Sequence, residues 1–199
     1  MTYITNWYMI KRYSIESITK PKEGQTLKGR DVILGILSQS EKTGYEINDI
    51  LQNRLSYFYD GTYGMIYPTL RKLEQECLVS KKVIVQTGKP NKNVYSITPA
   101  GEKELLNYLE SDVADDSFKS DFLMRLFFAT NLSDQEIVTL IEDEIARKEQ
   151  KIAQLEKNYE IWKEQGISKN QELTLRYGLA QYITNKKFLE EELKNYKKH

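Results

Sequence analysis

Apolar residues recur at helical spacing in three successive segments between residues 27 and 78. The first segment predicts a helix over about 28–39, and the second predicts a helix that begins at the capping box Thr43-Gly-Tyr-Glu46 and ends before Asp60. A third helix is predicted to begin near residue 62 or 64. Its apolar stripe consists of Ile66, Leu70, Leu73 and Cys77, at spacings of four, three and four. We therefore expect Cys77 to be a small core residue rather than a reactive thiol.

The hydrophobic period changes after Leu78 from that of a helix to that of a strand. Residues 79–86 and 93–98 are short β-branched runs, and the connector 87–92 contains Gly, Pro and Asn, which favour turns. This pattern predicts a two-stranded hairpin with a basic tip. Thr98 and Pro99 then predict the start of a fourth helix. Three helices followed by a hairpin is the order of a winged helix-turn-helix, which we predict for residues 27–112.

Residues 113–199 are predicted to form a separate helical domain, and an acidic segment over 110–117 marks the boundary. Residues 118–129 are apolar on most of the helical circumference, which is typical of a buried helix. Two longer helices follow, each with an apolar seam at spacings of four and three. The seams consist of Ile141, Ile145, Lys148, Ile152, Leu155, Tyr159 and Trp162, and of Leu175, Leu179, Tyr182, Lys186, Leu189, Leu193 and Tyr196. One small domain cannot easily cover this apolar surface, so we expect antiparallel helices that form a homodimer. The fold class predicted for the chain is mainly α with a small β hairpin.

Residues 1–26 do not follow these patterns. The general tendency of chain termini to be unordered favours a flexible extension or a translated leader. The alternative is an extra helix that packs on the body through Trp7, Tyr8 and Ile10.

The composition excludes most catalytic chemistry. The one histidine is His199, the last residue, and the one cysteine is Cys77. A His-based catalytic triad, a Cys/His zinc site and a disulfide framework are therefore not expected, and we predict no enzyme activity, no metal and no cofactor. A lone thiol favours the reducing cytoplasm, and the chain has no run of about 18 apolar residues that would indicate a membrane helix.

The charge is balanced overall but not locally. The 29 Lys and Arg equal the 29 Asp and Glu, and a zero net charge argues against a nucleic-acid partner. Residues 61–97, however, hold six basic residues against two glutamates, a balance of +4, whereas residues 98–117 have a balance of −5. The predicted third helix and hairpin are thus basic in a neutral chain. Basic side chains there can neutralise DNA phosphates.

The exposed start of the third helix is where a helix-turn-helix presents residues to base edges. Thr62, Tyr63, Met65, Thr69 and Lys72 are the candidates on that helix, and Lys89, Asn91 and Lys92 are the candidates on the hairpin. The alternative for Tyr63 and Met65 is that they pack against neighbouring residues.

Three motifs resemble the PadR family of bacterial transcriptional regulators. They are Thr43-Gly-Tyr-Glu-Ile47, Gly64-Met-Ile-Tyr-Pro68 with Leu70, Leu73 and Glu74, and Val94-Tyr-Ser-Ile-Thr-Pro-Ala-Gly101. The helical second half resembles the larger subgroup, which includes phenolic-acid-responsive repressors and a virulence activator. The resemblance implies a homodimer on a palindromic operator, with Tyr45 and Tyr67 touching the DNA backbone or bracing the recognition helix. Met65 departs from the family pattern, so the operator sequence cannot be carried over.

The resemblance also implies a small-molecule effector. In the phenolic-acid responders an aromatic acid lies between the two domains, and Phe118, Phe122 and Tyr177 are the aromatic residues of the equivalent region. The alternative is that they belong to the core. The functional prediction is a DNA-binding repressor that is released by an aromatic effector. A protein-binding adaptor with the same fold is the alternative, because fold does not fix function.

Overall fold

A computed structural model describes residues 27–88 and 91–197. The predictions made for residues 1–26, Lys89 and His199 lie outside these residues. The winged domain contains α1 (Gly29–Leu37), β1 (Lys42–Thr43), α2 (Gly44–Ile50), a π-helical turn (Leu51–Leu55), α3 (Tyr63–Gln75), β2 (Val79–Ile84), β3 (Lys92–Ile97) and α4 (Pro99–Leu109). The second unit, which we call the helical arm, contains α5 (Asp121–Phe127), a 3-10 turn (Ala129–Asn131), α6 (Asp134–Glu164) and α7 (Lys169–Tyr196). The mainly helical fold class with a small β element is confirmed.

The predicted hairpin is part of a three-stranded antiparallel sheet with the order β1-β3-β2. The hairpin register pairs Val79 with Ile97 and Ile84 with Lys92. Strand β1 has only two residues, which pair with Val94 and Tyr95 of β3. Two residues are too few to show a period of 2, so the sequence pattern contained no sign of β1.

The winged-domain core lies between α1, α2, α3 and the sheet. Helix α3 contributes Ile66, Leu70 and Leu73, which are all fully buried, as their spacing predicted. The other buried residues of this core are Ile33, Leu34, Ile36, Leu37, Ile47, Leu51, Val79 and Tyr95. This packing fixes α3 and the wing relative to each other.

Cys77 does not belong to that core, so its prediction as a buried residue was wrong. Helix α3 ends at Gln75, and Cys77 adopts a left-handed backbone conformation with φ of 57°. Its side chain is exposed, and its carbonyl accepts a hydrogen bond of 2.8 Å from the Thr98 hydroxyl. The chain turns here towards β2. The helix therefore ends before Cys77, although the apolar spacing in the sequence continues to that residue.

The helical arm is built on α6 and α7, which run antiparallel and pack along the predicted seams. Lys197 near the end of α7 pairs with Glu142 near the start of α6, and Tyr159 donates to Glu172 at 2.6 Å near the turn between them. The most buried seam residues are Ile141, Leu155, Trp162, Leu175 and Leu189. Helix α5 is shorter than predicted, so Phe118 precedes it.

The two units meet at a small contact that we call the domain junction. On the winged side it consists of Asn53, Arg54 and Tyr57, which lie in and just after the π-helical turn. On the arm it consists of Asn158, Trp162, Gln165, Thr174, Gly178 and Tyr182. Within the described part of the chain, no helix is long and apolar enough to cross a membrane.

Candidate nucleic-acid interface

Helix α3 buries one face and leaves the opposite face open. Successive residues of a helix are about 100° apart, so the midline of the open face can be assigned from the buried one. The midline consists of Gly64, Pro68, Arg71 and Gln75, which are all exposed. A recognition helix presents such a surface to a DNA groove.

A cleft of about 520 Å³ lies beside α3, between the start of α2 and the start of β3 near the tip of the wing. Its lining consists of Thr43, Gly44, Tyr45, Glu46, Tyr67, Asn91, Lys92 and Asn93. Four residues predicted to bind DNA, from three separate elements, therefore surround one opening: Tyr45, Tyr67, Asn91 and Lys92. Tyr45 is 75% exposed, which leaves its hydroxyl free to meet a ligand.

Tyr67 lies across the start of α2 because Gly44 has no side chain. A Cβ atom at Gly44 would lie 2.8 Å from the Tyr67 hydroxyl oxygen and from Cζ, closer than side chains pack. The ring is also in edge-on contact with Tyr63, with centroids 5.8 Å apart. The adjacent Tyr63 hydroxyl, and then burial, raise the pKa of Tyr67. The Tyr67 phenol is therefore protonated at neutral pH and can donate to a phosphate oxygen.

Glu46 also lines this cleft, but its carboxylate is already hydrogen-bonded within the capping box. Its carboxylate accepts from the Thr43 hydroxyl at 2.6 Å and from the Thr43 backbone N–H at 2.7 Å. These two bonds, with the nearby charges of Lys92 and Lys42, lower the pKa of Glu46. The predicted capping box is thus confirmed, and it fixes the start of α2 beside Tyr67.

The α1 side of α3 forms a second, smaller groove of about 300 Å³. Thr69 and Lys72 line it together with Lys28 of the α1 N-cap. Met65 lies on the same side but is half-buried, and its sulfur accepts a hydrogen bond from the Tyr59 hydroxyl at 3.5 Å. The structure thus favours packing for Met65, whereas Tyr63 and Thr62 are exposed at the start of the helix.

The cations of this surface are free to bind phosphate. Among the described residues, Arg71, Lys72, Lys82 and Lys92 form no ion pair, whereas Lys81 is paired with Glu74 at 3.1 Å. A cation without a carboxylate partner can neutralise a phosphate without first breaking an ion pair. The local excess of positive charge therefore remains available at the surface.

Sequence reasoning missed several residues of this surface, among them Thr43, Gly44, Asn93 and Arg71. Arg71 entered only the charge balance, although its position relative to Ile66 and Leu70 places it on the open midline of α3. Thr43 and Gly44 were interpreted as capping residues alone. Asn93 gave no signal, because its place beside Tyr67 depends on the register of the hairpin.

The three predicted effector residues lie apart in one chain. Phe118 and Tyr177 are exposed, whereas Phe122 is buried against Ile141 and Leu189. Tyr177 and Leu189 are 12 residues apart on α7, which corresponds to about 18 Å along the helix. Phe122 and Tyr177 are therefore well separated within one chain. Among the residues that the structure describes, no three His, Cys, Asp or Glu side chains are grouped so that they could hold a metal ion.

The helices, the wing and the basic open face of α3 define a winged helix-turn-helix DNA-binding protein. The family model "Transcriptional regulator PadR-like family" matches residues 33–107. The negative transcriptional regulator PadR of Bacillus subtilis is 30% identical over 129 residues, which are 64% of this chain and 71% of that protein. The chain belongs to the PadR-like family of transcriptional regulators, which are not enzymes.

Two solved structures and a second family model extend the similarity to the arm. The crystal structure of smu.1604c from Streptococcus mutans is 62% identical, with a TM-score of 0.77, and the match covers 84% of this chain and 99% of that one. Bacillus subtilis PadR in complex with operator DNA is 26% identical, with a TM-score of 0.74, and the match covers 84% of this chain and 98% of that one. The family model "Virulence activator alpha C-term" matches residues 118–197. The arm is therefore the C-terminal domain of the larger subgroup.

Proposed function

We propose that this transcriptional regulator binds an inverted-repeat operator as a homodimer and represses transcription. The observation that carries the proposal is the single surface formed by α3, the α2 start and the wing, where tyrosine hydroxyls, amides and unpaired cations lie side by side. Phosphate contacts from such groups position a protein on DNA, and base contacts from α3 add sequence preference. The operator complex of Bacillus subtilis PadR supports the same use of this fold.

The apolar residues that the arm leaves exposed support the homodimer. Phe127 and Phe128 of the α5 region are 80% and 68% exposed, and their rings are in edge-on contact. Leu123 and Met124 on the same helix are also exposed. A surface of this kind is rarely left uncovered in a soluble protein, and a second copy of the arm would cover it. A two-fold symmetric dimer would in turn present two α3 helices to two inverted half-sites.

Repression is supported by the relative described as a negative transcriptional regulator. A protein that occupies an operator near a promoter can exclude the transcription machinery without further parts. In a reporter strain we expect expression from the bound promoter to fall when this protein is supplied. A rise in expression would contradict repression and leave DNA binding intact.

Selection of bound fragments from a random DNA pool by the purified full chain tests the proposal. We expect enrichment of an inverted repeat whose half-sites are about one or two helical turns apart. Binding should weaken steeply as salt rises, because phosphate contacts release counterions. Enrichment of single, unpaired sites would contradict the dimer, and no enrichment would contradict the DNA-binding role.

Release by a small aromatic effector completes the proposal. It is supported by the crystal structure of Bacillus subtilis PadR in complex with p-coumaric acid. The predicted residues Phe122 and Tyr177 lie far apart in a single chain of this protein. Titration of the selected DNA complex with a panel of aromatic acids tests it. We expect at least one acid to release the DNA, whereas unchanged binding with every acid would remove the effector from the proposal.

A further inference from the structure

Gly178 lies in the interior of α7, where glycine is an unfavourable residue. Glycine destabilises a helix interior relative to alanine, so close approach of another group is the usual reason for its presence. Here that group is the ring of Tyr57, from the winged domain. A Cβ atom at Gly178 would lie 2.6 Å from Tyr57 Cδ2 and 3.0 Å from Cε2. The α7 backbone at Gly178 therefore forms a flat surface on which the Tyr57 ring packs, and we call this surface the Tyr57 seat.

Hydrogen bonds hold Tyr57 in this seat. Its hydroxyl is 2.7 Å from Thr174 Oγ1, and its backbone carbonyl accepts from the Tyr182 hydroxyl at 3.4 Å. Burial against α7 raises the pKa of the Tyr57 phenol. The ring also packs against the arm core formed by Leu155, Trp162 and Leu175. Tyr57 is thus a winged-domain residue whose side chain is part of the arm core.

Neighbouring contacts reinforce the same junction. Arg54 donates to Gln165 at 2.6 Å and lies over the Trp162 ring, 5.9 Å from its centroid. Asn158 donates to the carbonyl of Asn53 at 3.2 Å. All these winged-domain groups lie between positions 53 and 57, directly before the loop that leads into α3.

The covalent connection between the two units does not fix their orientation. Residues 112–120 contain no helix or strand, and Val113 is 97% exposed. Among the described residues, the buried clusters of the winged domain and of the arm are separate, apart from the inserted Tyr57. The angle between the units therefore depends on the junction.

We propose that Tyr57 and Gly178 are positioning residues that set the spacing of the half-sites which the dimer selects. This inference rests on the proposed function, in which two arms form the dimer and two α3 helices bind the DNA. If the two arms form a symmetric dimer, the contact between Tyr57 and Gly178 in each chain fixes the orientation of its α3 relative to the other α3. Each additional base pair between half-sites moves one of them by about 3.4 Å and rotates it by about 34°, so a rigid dimer fits only one spacing well.

The variant Gly178→Ala tests this directly. The added Cβ would lie about 0.8 Å closer to the Tyr57 ring than an ordinary contact of 3.4 Å, so the ring has to move. The substitution also raises the helix propensity of α7, so it should not unfold the helix. Gly35→Ala is the matched control, because Gly35 is also a helix-interior glycine but its Cβ would make only an ordinary contact, 3.9 Å from Leu105. Tyr57→Ala removes the ring, and Tyr57→Ala with Gly178→Ala tests whether the two positions act through each other.

The readout is the affinity for a series of inverted repeats that share the selected half-sites and differ only in spacer length. We expect the wild type and Gly35→Ala to prefer one spacing by at least about tenfold over spacers changed by one base pair. Gly178→Ala and Tyr57→Ala should shift that optimum or reduce the preference to about threefold or less. In a chain that already carries Tyr57→Ala, Gly178→Ala should cause no further change in the spacing preference. Base preference within each half-site should stay unchanged.

A distance measurement checks the orientation itself. Spin labels on the exposed Cys77 and on Lys187→Cys report the separation of the winged domain and α7 in a labelled chain mixed with excess unlabelled chain. We expect one narrow distance in the wild type, and a shifted or broadened distribution with Gly178→Ala.

The outcomes separate this inference from the proposed function. An unchanged spacing preference in folded Gly178→Ala and Tyr57→Ala would overturn the positioning role while the inverted-repeat dimer stands. An unchanged spin-label distance would overturn it as well. Loss of binding even to single half-sites would also overturn it, because a positioning role leaves those contacts intact. A wild type that shows no spacing preference would overturn the role of the junction, whereas selection of single half-sites would overturn the dimer.

Discussion

At the scale of single residues, the missing side chain at Gly44 allows Tyr67 to form part of the candidate DNA-binding surface. The Tyr67 ring occupies the space that a side chain at position 44 would need, and this brings its hydroxyl to the cleft beside the wing. The Gly-Tyr pair after the capping threonine was visible in the sequence. Its contact with Tyr67 was not, because it depends on how α2 crosses α3.

Gly44→Ala should move the Tyr67 ring and weaken DNA binding. Loss of a hydrogen bond to a charged group costs about 1.5–3 kcal/mol, so we expect a fall in affinity of at least about tenfold on the selected operator. Gly35→Ala, with an ordinary contact at its new Cβ, should bind like the wild type. Equal affinities for Gly44→Ala and wild type in a gel shift would contradict the role of Tyr67.

Thr43→Ala should reduce the free energy of unfolding by about 1 kcal/mol at neutral pH, because α2 loses its capping side chain. The Thr43 bonds lower the pKa of Glu46, and such a carboxylate stabilises the fold above its unfolded pKa and loses that effect as the pH falls through its folded pKa. The cost of the substitution should therefore shrink below about pH 4.5.

Thr62→Ala is the matched control for this measurement. Thr62 is the N-cap of α3, but its side chain makes no capping hydrogen bond. Its substitution should change stability by much less, as measured by denaturant unfolding across the same pH range. Equal losses in the two variants would contradict the role of the Thr43 capping box.

At the scale of the elements, the hydrophobic period predicted α1, α2, α3, α6, α7 and the hairpin, whereas Thr98 and Pro99 predicted the start of α4. In α3, α6 and α7, the predicted apolar stripes supply most of the buried residues. The hydrophobic pattern gave no prediction, or a wrong one, where contacts between distant parts of the chain determine the local structure. Strand β1 is too short to carry a period, and Cys77 continues the α3 spacing after the chain has already turned towards β2.

The wing is predicted to contribute affinity without sequence preference. Lys89→Ala with Lys92→Ala should weaken binding to all sequences by a similar factor and flatten the dependence of binding on salt by about one unit per lost contact. Lys151→Ala with Lys187→Ala is the control, since both lysines are exposed on the arm. A double wing variant that binds with the wild-type salt slope would show that the wing does not contact phosphates.

At the scale of the whole molecule, the negative charge of residues 98–117 offsets the positive charge of residues 61–97, and residues 118–199 are neutral overall. That distribution could be predicted from the sequence, because it only requires charges to be counted along the chain. The domain junction could not. Tyr57 and Thr174 are 117 positions apart, and no local pattern connects them.

Phe127→Ser with Phe128→Ser should weaken the dimer. Both rings are largely exposed in a single chain, and their burial by a second copy would remove apolar area from water. We expect sedimentation to show a shift towards monomer at micromolar concentration, whereas Val113→Ser, at an exposed position outside the arm helices, should remain dimeric. An unchanged dimer in the double variant would place the interface elsewhere.

The mass of the complex with DNA tests the central claim most directly. The purified full chain should bind a duplex carrying the selected inverted repeat as two copies of 23.4 kDa per duplex, and scrambling one half-site should lower the affinity by at least about tenfold. A complex with one chain per duplex, or an affinity that is unchanged when one half-site is scrambled, would contradict the account of a dimer that reads two half-sites.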